Sequence, residues 1–593
     1  MGSAGTSNDK KLIDYTKQDT REVRTLGELV YYVSHKYATR SALHVNHGKG
    51  FETYTYSQFY EKVKGFVAAL NSLGLKKGDR LAIFSENCIE WGLSDWAAQT
   101  LGIIVVPIYP TLPADQVEYI VKDSGAKVLF AGNAILADRA KGVKDLKIVL
   151  FNSKDEKETI HSIIQSTQLD EKSWLNGILS VDPDDTATII YTSGTTGNPK
   201  GVILTHKSCL CNMNSIRETI PISETDVFLS FLPLSHVYER VGGHMLPIYL
   251  GASIGYVQKI STFASDMMAV NPTVMLCVPR FLDAMRHRIV ENISKQSPLK
   301  QKLFNWAYQQ GLAQEQGKFA PFAGVLDGLV GKKIRERTGG RLRFFVSGGA
   351  ALPDHVAKFY TAFKMPIIQG YGLTETSAIV SANHPDRNRP ETVGEPIPGI
   401  ELKIAEDGEI LVRGPGIMKG YYNLPEATAE AIDSDGWFHT GDIGKMDGKS
   451  LLITDRKKDL LVLGNGKNVA PQPIENKIKE SDYIEEAVLF GDGMEYVCAL
   501  IIPNFERLNS FASENNIDST DRAKLIESPE VKQLFKKEIQ KINSNLASFE
   551  KVKKYELLEN SFTVESGELT PSMKVKRKVV KEKYANIIQK MER

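Results

Sequence analysis

The sequence is poor in cysteine, with Cys88, Cys209, Cys211, Cys277 and Cys498 the only five in 593 residues. They are too few and too scattered for a disulfide framework. The one close pair, Cys209 and Cys211, has no second pair at zinc-site spacing. Free thiols in a reducing compartment are expected. An excess of one charge is also lacking, since 73 Lys and Arg stand against 72 Asp and Glu. A net +1 provides no global field to hold nucleic acid, although local basic patches can still touch a membrane surface. Long apolar runs are absent. The longest, LGIIVVPIYP at 101–110, is about half a membrane span and holds two prolines. The N-terminus is polar, without the apolar segment of a signal peptide, and the final Met-Glu-Arg is no peroxisomal or retention signal. A cytoplasmic protein without a nucleic-acid partner is expected. Hydrophobic content of 42% and charged content of 24% exclude the disordered and collagen-like classes.

What is present is an alternation. Short β-rich runs at 80–85, 102–108, 127–131 and 147–151 are separated by helical patterns such as 57–73 and 89–101. RFFVSGG (343–349) and MPIIQGYG (365–372) continue the series. Strands alternating with helices imply an α/β fold with a mainly parallel sheet. After about 392 glycines become dense and strands short, and ELKIAEDGEILVRG (401–414) reads as a hairpin turning at Asp407-Gly408. This is a small β-rich subdomain. From roughly 460 a lysine-rich α+β unit follows, with strand candidates at 487–491 and 497–503. The expected division is a large domain over 1–457 and a small mobile domain over 458–593, with the boundary near 456–459.

The strongest local signal is Tyr191-Thr-Ser-Gly-Thr-Thr-Gly-Asn-Pro-Lys-Gly-Val, with β-branched residues before and after it. It is a loop between strands and fails the Walker pattern, because Lys200 follows Pro199 and no Ser or Thr comes next. Gly194 and Gly197 let backbone N–H groups turn inward around an anion. Thr192, Ser193, Thr195 and Thr196 offer hydroxyls, and Lys200 a positive charge. The bland alternative is a surface turn, but this density of donors within nine residues favours phosphate.

The segment resembles the signature loop of the adenylate-forming superfamily, which comprises acyl-CoA synthetases, peptide-synthetase adenylation domains and firefly-type luciferases. Gln369-Gly-Tyr-Gly-Leu-Thr-Glu-Thr is similar to the second motif of that superfamily. Gly436-Trp-Phe-His-Thr-Gly-Asp-Ile-Gly resembles the third, and Asp455-Arg-Lys-Lys-Asp with Gly464-Asn-Gly-Lys-Asn-Val-Ala-Pro the fourth. Pro571-Ser-Met-Lys574 resembles the last, with Met573 where many members have glycine. Phe231-Leu-Pro-Leu-Ser-His-Val-Tyr-Glu-Arg240 has the form found in long-chain fatty acyl-CoA synthetases.

The resemblance implies a chemistry in which a carboxylate attacks the α-phosphate of ATP, giving an acyl adenylate and pyrophosphate, and a thiol then attacks the acyl carbon. It implies that Thr195 and Glu375 share Mg²⁺, a hard cation suited to oxygen ligands. Tyr371 would lie against adenine, with Gly348, Gly349 and Ala350 forming the other wall. Gln369, Gly370, Gly372, Leu373 and Thr374 complete that nucleotide-binding stretch. Asp442 would accept the ribose hydroxyls, and Arg456 would contact ribose and phosphate. His236 would stand between the ATP site and the acyl tunnel. Lys574 would serve adenylation, Gly464, Asn465 and Gly466 would border the CoA channel, and Lys458 would be the hinge. Alone, most of these residues read more simply as core or solvated groups. Nothing between 231 and 375 offers a clear partner for an ammonium group, which disfavours an amino acid substrate. The reading is a long-chain fatty acyl-CoA synthetase using ATP, Mg²⁺ and CoA. An acyl carrier protein as the thiol partner is the alternative, since the basic run 574–583 would suit either. A non-enzymatic lipid- or nucleotide-binding scaffold is a distant third. Oligomeric state is not legible.

Overall fold

The computed structural model describes residues 11–46, 48, 50–153, 159–192, 198–564, 566–570 and 574–592. The chain divides into two compact units. One holds Met1–Leu352, Val356–Leu402 and Val412–Phe438, and the other Pro353–His355, Lys403–Leu411 and His439–Arg593.

The first unit is α/β, as the alternation predicts. Its four early β-rich runs become Arg80–Phe84, Ile104–Ile108, Val128–Ala131 and Lys147–Leu150, all parallel. Thr186–Thr192 joins this sheet in parallel and then turns back antiparallel as Lys200–Thr205, followed by the short edge strand Gly420–Tyr421. A second sheet has a parallel centre of Ser253–Tyr256, Val227–Ser230, Val274–Cys277, Phe344–Ser347 and Ile367–Tyr371. The helical pattern at 57–73 forms Tyr56–Ser72, started by a capping box in which Thr55 and Gln58 exchange bonds. Ile89–Leu101 is almost wholly buried, and it stops at Gly102 in the left-handed region (φ 63°).

The second unit carries a small antiparallel sheet built from 403–411 and 439–456, with the expected turn at Asp407-Gly408. Farther on, Ile484–Phe490, Val497–Pro503 and Val552–Leu557 form a three-stranded sheet. Successive residues of these strands feed opposite cores. Leu489, Ala499 and Ile501 lie in one, and Val488, Leu500 and Ile502 in the other. Cys209, Cys277 and Cys498 are buried free thiols, while Cys88 and Cys211 are half-buried. Among the described residues no helix is long and apolar enough to cross a membrane.

The first unit buries a charged network. Arg240 and Asp95 are 1% and 0% exposed. Arg240 donates through Nε to Asp95 (2.8 Å), through Nη2 to its other oxygen (2.5 Å), and through Nη1 to Thr188 Oγ1 (2.5 Å). Burial would raise the Asp95 pKa, but the guanidinium outweighs it and holds the carboxyl well below the usual range. Burial lowers the His244 pKa, so this ring is neutral beside the pair and bonds Tyr256 Oη (2.8 Å).

Arg240 begins a π-turn, Arg240–Met245, and the residue before it is Glu239. Its carboxyl is 1% exposed, and neither oxygen has a hydrogen-bond partner among the described residues. Gly243 makes room for it, since a Cβ there would stand 2.5 Å from Glu239 Oε1. Ser230, Tyr238, Tyr256 and Cys277 lie around the group. Burial pushes Glu239 up to about 8.

Two outcomes follow from these buried charges. Asp95→Ala strands the Arg240 guanidinium and should cost about 3–5 kcal/mol in urea unfolding, whereas Asp95→Leu combined with Arg240→Met should recover most of that loss. A loss below about 1 kcal/mol for the single variant contradicts the role assigned to the pair. For Glu239, the folded pKa lies above the ordinary 4.5. Between those values the folded protein keeps a proton that the unfolded chain has lost, so stability falls as pH rises from about 4.5 to about 8. Glu239→Gln should therefore gain on the wild type across that window, by up to about 5 kcal/mol. Urea midpoints at several pH values measure the gap, and a pH-independent gap would mean that Glu239 is ionised.

Candidate active site

In the first unit, Thr192 and Lys200 are direct cross-strand partners, closing the mouth of the signature loop. Ser193, Gly194, Thr195, Thr196 and Gly197, to which the sequence assigns phosphate and metal contacts, lie outside the described residues. Lys200 Nζ stands 4.9 Å above the ring of Tyr421. The Tyr421 hydroxyl donates to Glu375 Oε1 (2.9 Å). Burial and the Glu375 charge raise the Tyr421 pKa, so it remains a protonated donor. One tyrosine thus links the lysine of the first motif to the glutamate of the second.

The turn that presents Glu375 is tight. A Cβ at Gly372 would stand 2.0 Å from the Ala378 carbonyl oxygen, so only glycine fits. Ser377 (φ 56°) and Ala378 (φ 113°) hold left-handed conformations that L-residues rarely adopt. The Glu375 carbonyl is tied to the Met418 N–H (2.7 Å) in the chain just before Tyr421. Among the described residues no group of three His, Cys, Asp or Glu could hold a metal. A single carboxylate nevertheless suits Mg²⁺, which is commonly held by one or two carboxylates together with phosphate oxygens and water.

Gly348, Gly349 and Ala350 leave the end of one parallel strand, beside the end of the strand carrying Gln369, Gly370 and Tyr371. The crevice beyond the carboxyl ends of parallel strands is the usual ligand position in such sheets. The Gln369 side chain is committed internally. Its oxygen accepts from the Leu352 N–H (3.2 Å), and its amide donates to the Pro390 and Thr392 carbonyls. Gln369 therefore positions the wall segment that ends at Leu352, while Tyr371 is buried at the strand end. Leu373 and Thr374 are half-buried in the following turn.

The segment bearing His236 is held by Asn87, whose side chain bonds the Leu232 carbonyl (2.7 Å) and the Leu234 N–H (3.0 Å). His236 is half-buried, and its Nδ1 accepts the Tyr238 N–H (3.1 Å), which places the proton of the neutral ring on Nε2. The Tyr238 hydroxyl donates to the Val346 carbonyl (2.9 Å), and its ring packs over Gly348. His236 and the Gly348 wall are thereby brought into one neighbourhood.

The second unit holds the remaining candidates. Asp442 and Arg456 face each other across a hairpin, with Nε and Oδ1 3.2 Å apart. Glu409, 6% exposed, takes Lys457 Nζ (3.0 Å), the Gly441 N–H (2.9 Å) and His439 Nδ1 (3.3 Å). Lys457 also reaches Asp407 (2.6 Å). Lys458 is exposed in the turn closed by the Asp459 N–H to the Arg456 carbonyl (2.9 Å). Gly464, Asn465 and Gly466 form an exposed turn, with Gly466 at φ 78°. Residues 571–573 lie outside the described residues, and the Lys574 N–H donates to Thr570 Oγ1 (3.0 Å). Three residues on, Arg577 is locked to Glu475 (2.7 and 3.1 Å) and the Leu489 carbonyl (2.7 Å). Lys583 pairs with Glu568. The basic run 574–583 is thus partly spent on internal ion pairs.

Sequence reasoning missed Asn87, Tyr421, Glu409 and Asp455. Burial raises Asp455 to about 6 although it accepts the N–H groups of Arg456 (2.6 Å) and Gln472 (3.2 Å). Asp455 stands in a quoted motif and could have been singled out, whereas the other three carry no local pattern.

Comparison with known proteins fits this arrangement. The pattern described as AMP-binding enzyme matches residues 32–422, and that described as AMP-binding enzyme C-terminal domain matches 458–593. Long-chain-fatty-acid–CoA ligase FadD15 of Mycobacterium bovis is 34% identical over 557 residues, covering 90% of this chain and 91% of that protein. Long-chain-fatty-acid–CoA ligase 1 of Cavia porcellus is 31% identical, covering 90% and 82%. Among solved structures, the anthranilate CoA ligase AuaEII with anthranoyl-AMP superposes with a TM-score of 0.73 at 19% identity, covering 96% of this chain and 98% of that one. These matches span both units, and the chain belongs to the AMP-binding enzyme family.

Proposed function

We propose that this protein is a long-chain fatty acyl-CoA synthetase, which activates a fatty acid with ATP to an acyl adenylate and passes the acyl group to the CoA thiol, releasing AMP. The observation that carries the reading is the Lys200–Tyr421–Glu375 cluster at the mouth of the signature loop, in a chain whose relatives over nine-tenths of its length are named as such ligases.

Both half-reactions need charge stabilisation rather than a protein nucleophile. Lys200 supplies a cation at the loop mouth, held over Tyr421. Glu375 is oriented by the Tyr421 hydroxyl. With Thr195 it would hold Mg²⁺, which when bound neutralises charge on the phosphates. With Nδ1 taken by the Tyr238 N–H, the neutral His236 ring carries its proton on Nε2, from which it would donate to a carboxylate or phosphate oxygen. Asp442 and Arg456 are a matched acceptor and cation for ribose and phosphate.

The division of labour proposed is a large domain over 1–457 and a small one over 458–593, hinged at Lys458. The Glu409 and Asp407 clamp on Lys457 supports a joint that begins one residue later. Lys574 would serve adenylation and the Gly464–Asn465–Gly466 turn the thiol step.

The reading is tested by ATP–pyrophosphate exchange over fatty acids of increasing length, followed by CoA and acyl carrier protein as acceptors. Exchange should strengthen with chain length, because each buried CH₂ contributes about 0.8 kcal/mol, until the acyl path is full. A best substrate of a few carbons or an amino acid refutes it, and preference for the carrier protein replaces CoA as the acceptor. Glu375→Gln should lower exchange about 100-fold or more, roughly 2.7 kcal/mol of transition-state stabilisation, in a folded protein.

Single-turnover kinetics on the separate halves test the domain roles. Lys574→Ala should depress adenylate formation by about 100-fold while largely sparing transfer from supplied acyl adenylate. Lys458→Pro, which fixes φ at the hinge, should do the reverse. Equal slowing of both steps by Lys574→Ala would rule out the alternation.

A further inference from the structure

Glu239 is a buried acid that the assigned chemistry does not use. Its carboxyl has no hydrogen-bond partner on either oxygen among the described residues. It ends the short helix Val237–Glu239, which His236 caps, so the two side chains stand three residues apart in one turn. The π-turn that follows lies on the sheet, where a Cβ at Gly242 would stand 2.8 Å from Leu276 Cδ2. Ser230 and Tyr256, register partners on adjacent parallel strands, present their side chains on the same face.

The described groups around Glu239 are neutral or already engaged. From the sheet come Ser230, Tyr256 and the Cys277 thiol. Its own turn supplies Tyr238, whose hydroxyl donates to the Val346 carbonyl (2.9 Å), and Tyr256 is joined to His244. The helix His206–Thr219, packed on the π-turn, adds the Cys209 thiol. Burial pushes both thiols and the hydroxyls of Tyr238 and Tyr256 upward, so all four stay protonated. Arg240 is the adjoining cation, and Asp95 and Thr188 hold it. The Ser230 hydroxyl cannot replace the water that a carboxylate loses on burial, so a charged Glu239 requires the turn to open.

The flanks decide where such an opening is felt. On one side Asn87 fixes Leu232 and Leu234, and on the other Arg240 is locked to Asp95 and Thr188. The slack therefore falls between 235 and 239, a stretch closed by the bond from the Arg240 N–H to the His236 carbonyl (2.9 Å). We propose that Glu239 is a positioning residue for adenylation: uncharged, it seals the turn that holds His236, and its ionisation opens that turn and withdraws His236 from the reacting groups. The proposal rests on the synthetase reading, in which His236 donates to a carboxylate or phosphate oxygen.

The test compares wild type with Glu239→Gln in ATP–pyrophosphate exchange at saturating substrates, from pH 7 to pH 9, with rates referred to folded protein by circular dichroism. Since the group titrates at about 8, the ratio of variant to wild type should rise about 10-fold over that range, while the KM for ATP changes by less than about 2-fold. A flat ratio overturns the proposal. A steric variant avoids pH altogether. Gly243→Ala drives a methyl group into the carboxyl and should slow pyrophosphate exchange at pH 7 by about 10-fold or more, and Glu239→Ala in the same chain should restore most of it. A loss that the second substitution leaves in place also overturns the proposal. The last readout needs no turnover. Deuterium uptake by the amides of 236–240 should match between wild type and Glu239→Gln at pH 7 and be faster in the wild type at pH 9. Equal uptake at pH 9 refutes the opening of the turn. Absence of pyrophosphate exchange at every pH refutes the synthetase reading, and deuterium uptake then still decides whether Glu239 controls the turn.

Discussion

A guanidinium removed from water must be answered on every donor, and in the first unit that requirement sets the geometry. Arg240 can satisfy itself only where Asp95, on an almost wholly buried helix, and Thr188, on the strand entering the signature loop, come within reach together. Three segments distant in sequence are thereby brought to one point. Apolar side chains of the same volume would fill the space without preferring one partner over another. The segment 231–245, which carries His236, is registered against the 186–192 strand by directional bonds rather than by packing alone. The other ties in the unit repeat the principle on a smaller scale. Asn87 grips both sides of the 232–234 turn, Gln369 spans three backbone positions, and Tyr421 joins Glu375 to Lys200.

The elements with regular periodicity were legible in the sequence. The β-branched runs near 80, 104, 128 and 147 form parallel strands, and the loop at 191–202 lies between two strands, because apolar pattern and turn residues act locally. Motif order exposed the candidate residues but not what supports them. Asn87 and Tyr421 act across 145 and 46 residues of sequence, and a side chain that works at such a distance leaves no periodic trace. Gln369 was legible as a motif member only. Its amide proves to be spent on the backbone, which composition could not reveal. The lysine-rich 574–583 run carried the opposite error. Read alone it is a solvated basic stretch, whereas Arg577 is drawn inward by Glu475 about a hundred residues earlier.

Net charge concealed a comparable asymmetry. A total of +1 is the sum of a region 298–341 with five excess positive charges and a remainder of opposite sign. Electrostatics beyond a Debye length of about 8 Å is local, so it is the regional balance that a partner meets.

The closeness of Gly243 to the Glu239 carboxyl has a bearing on descent. The two positions share one volume, so no side chain can be added at 243 while a long group stands at 239. A lineage could acquire a side chain at 243 only after the group at 239 had shortened, and the order of the two changes is fixed by sterics. Related chains should therefore vary at these two sites as a pair, glycine accompanying a long residue and a larger residue accompanying a short one. Chains with bulk at both positions should have abandoned the π-turn that brings them together.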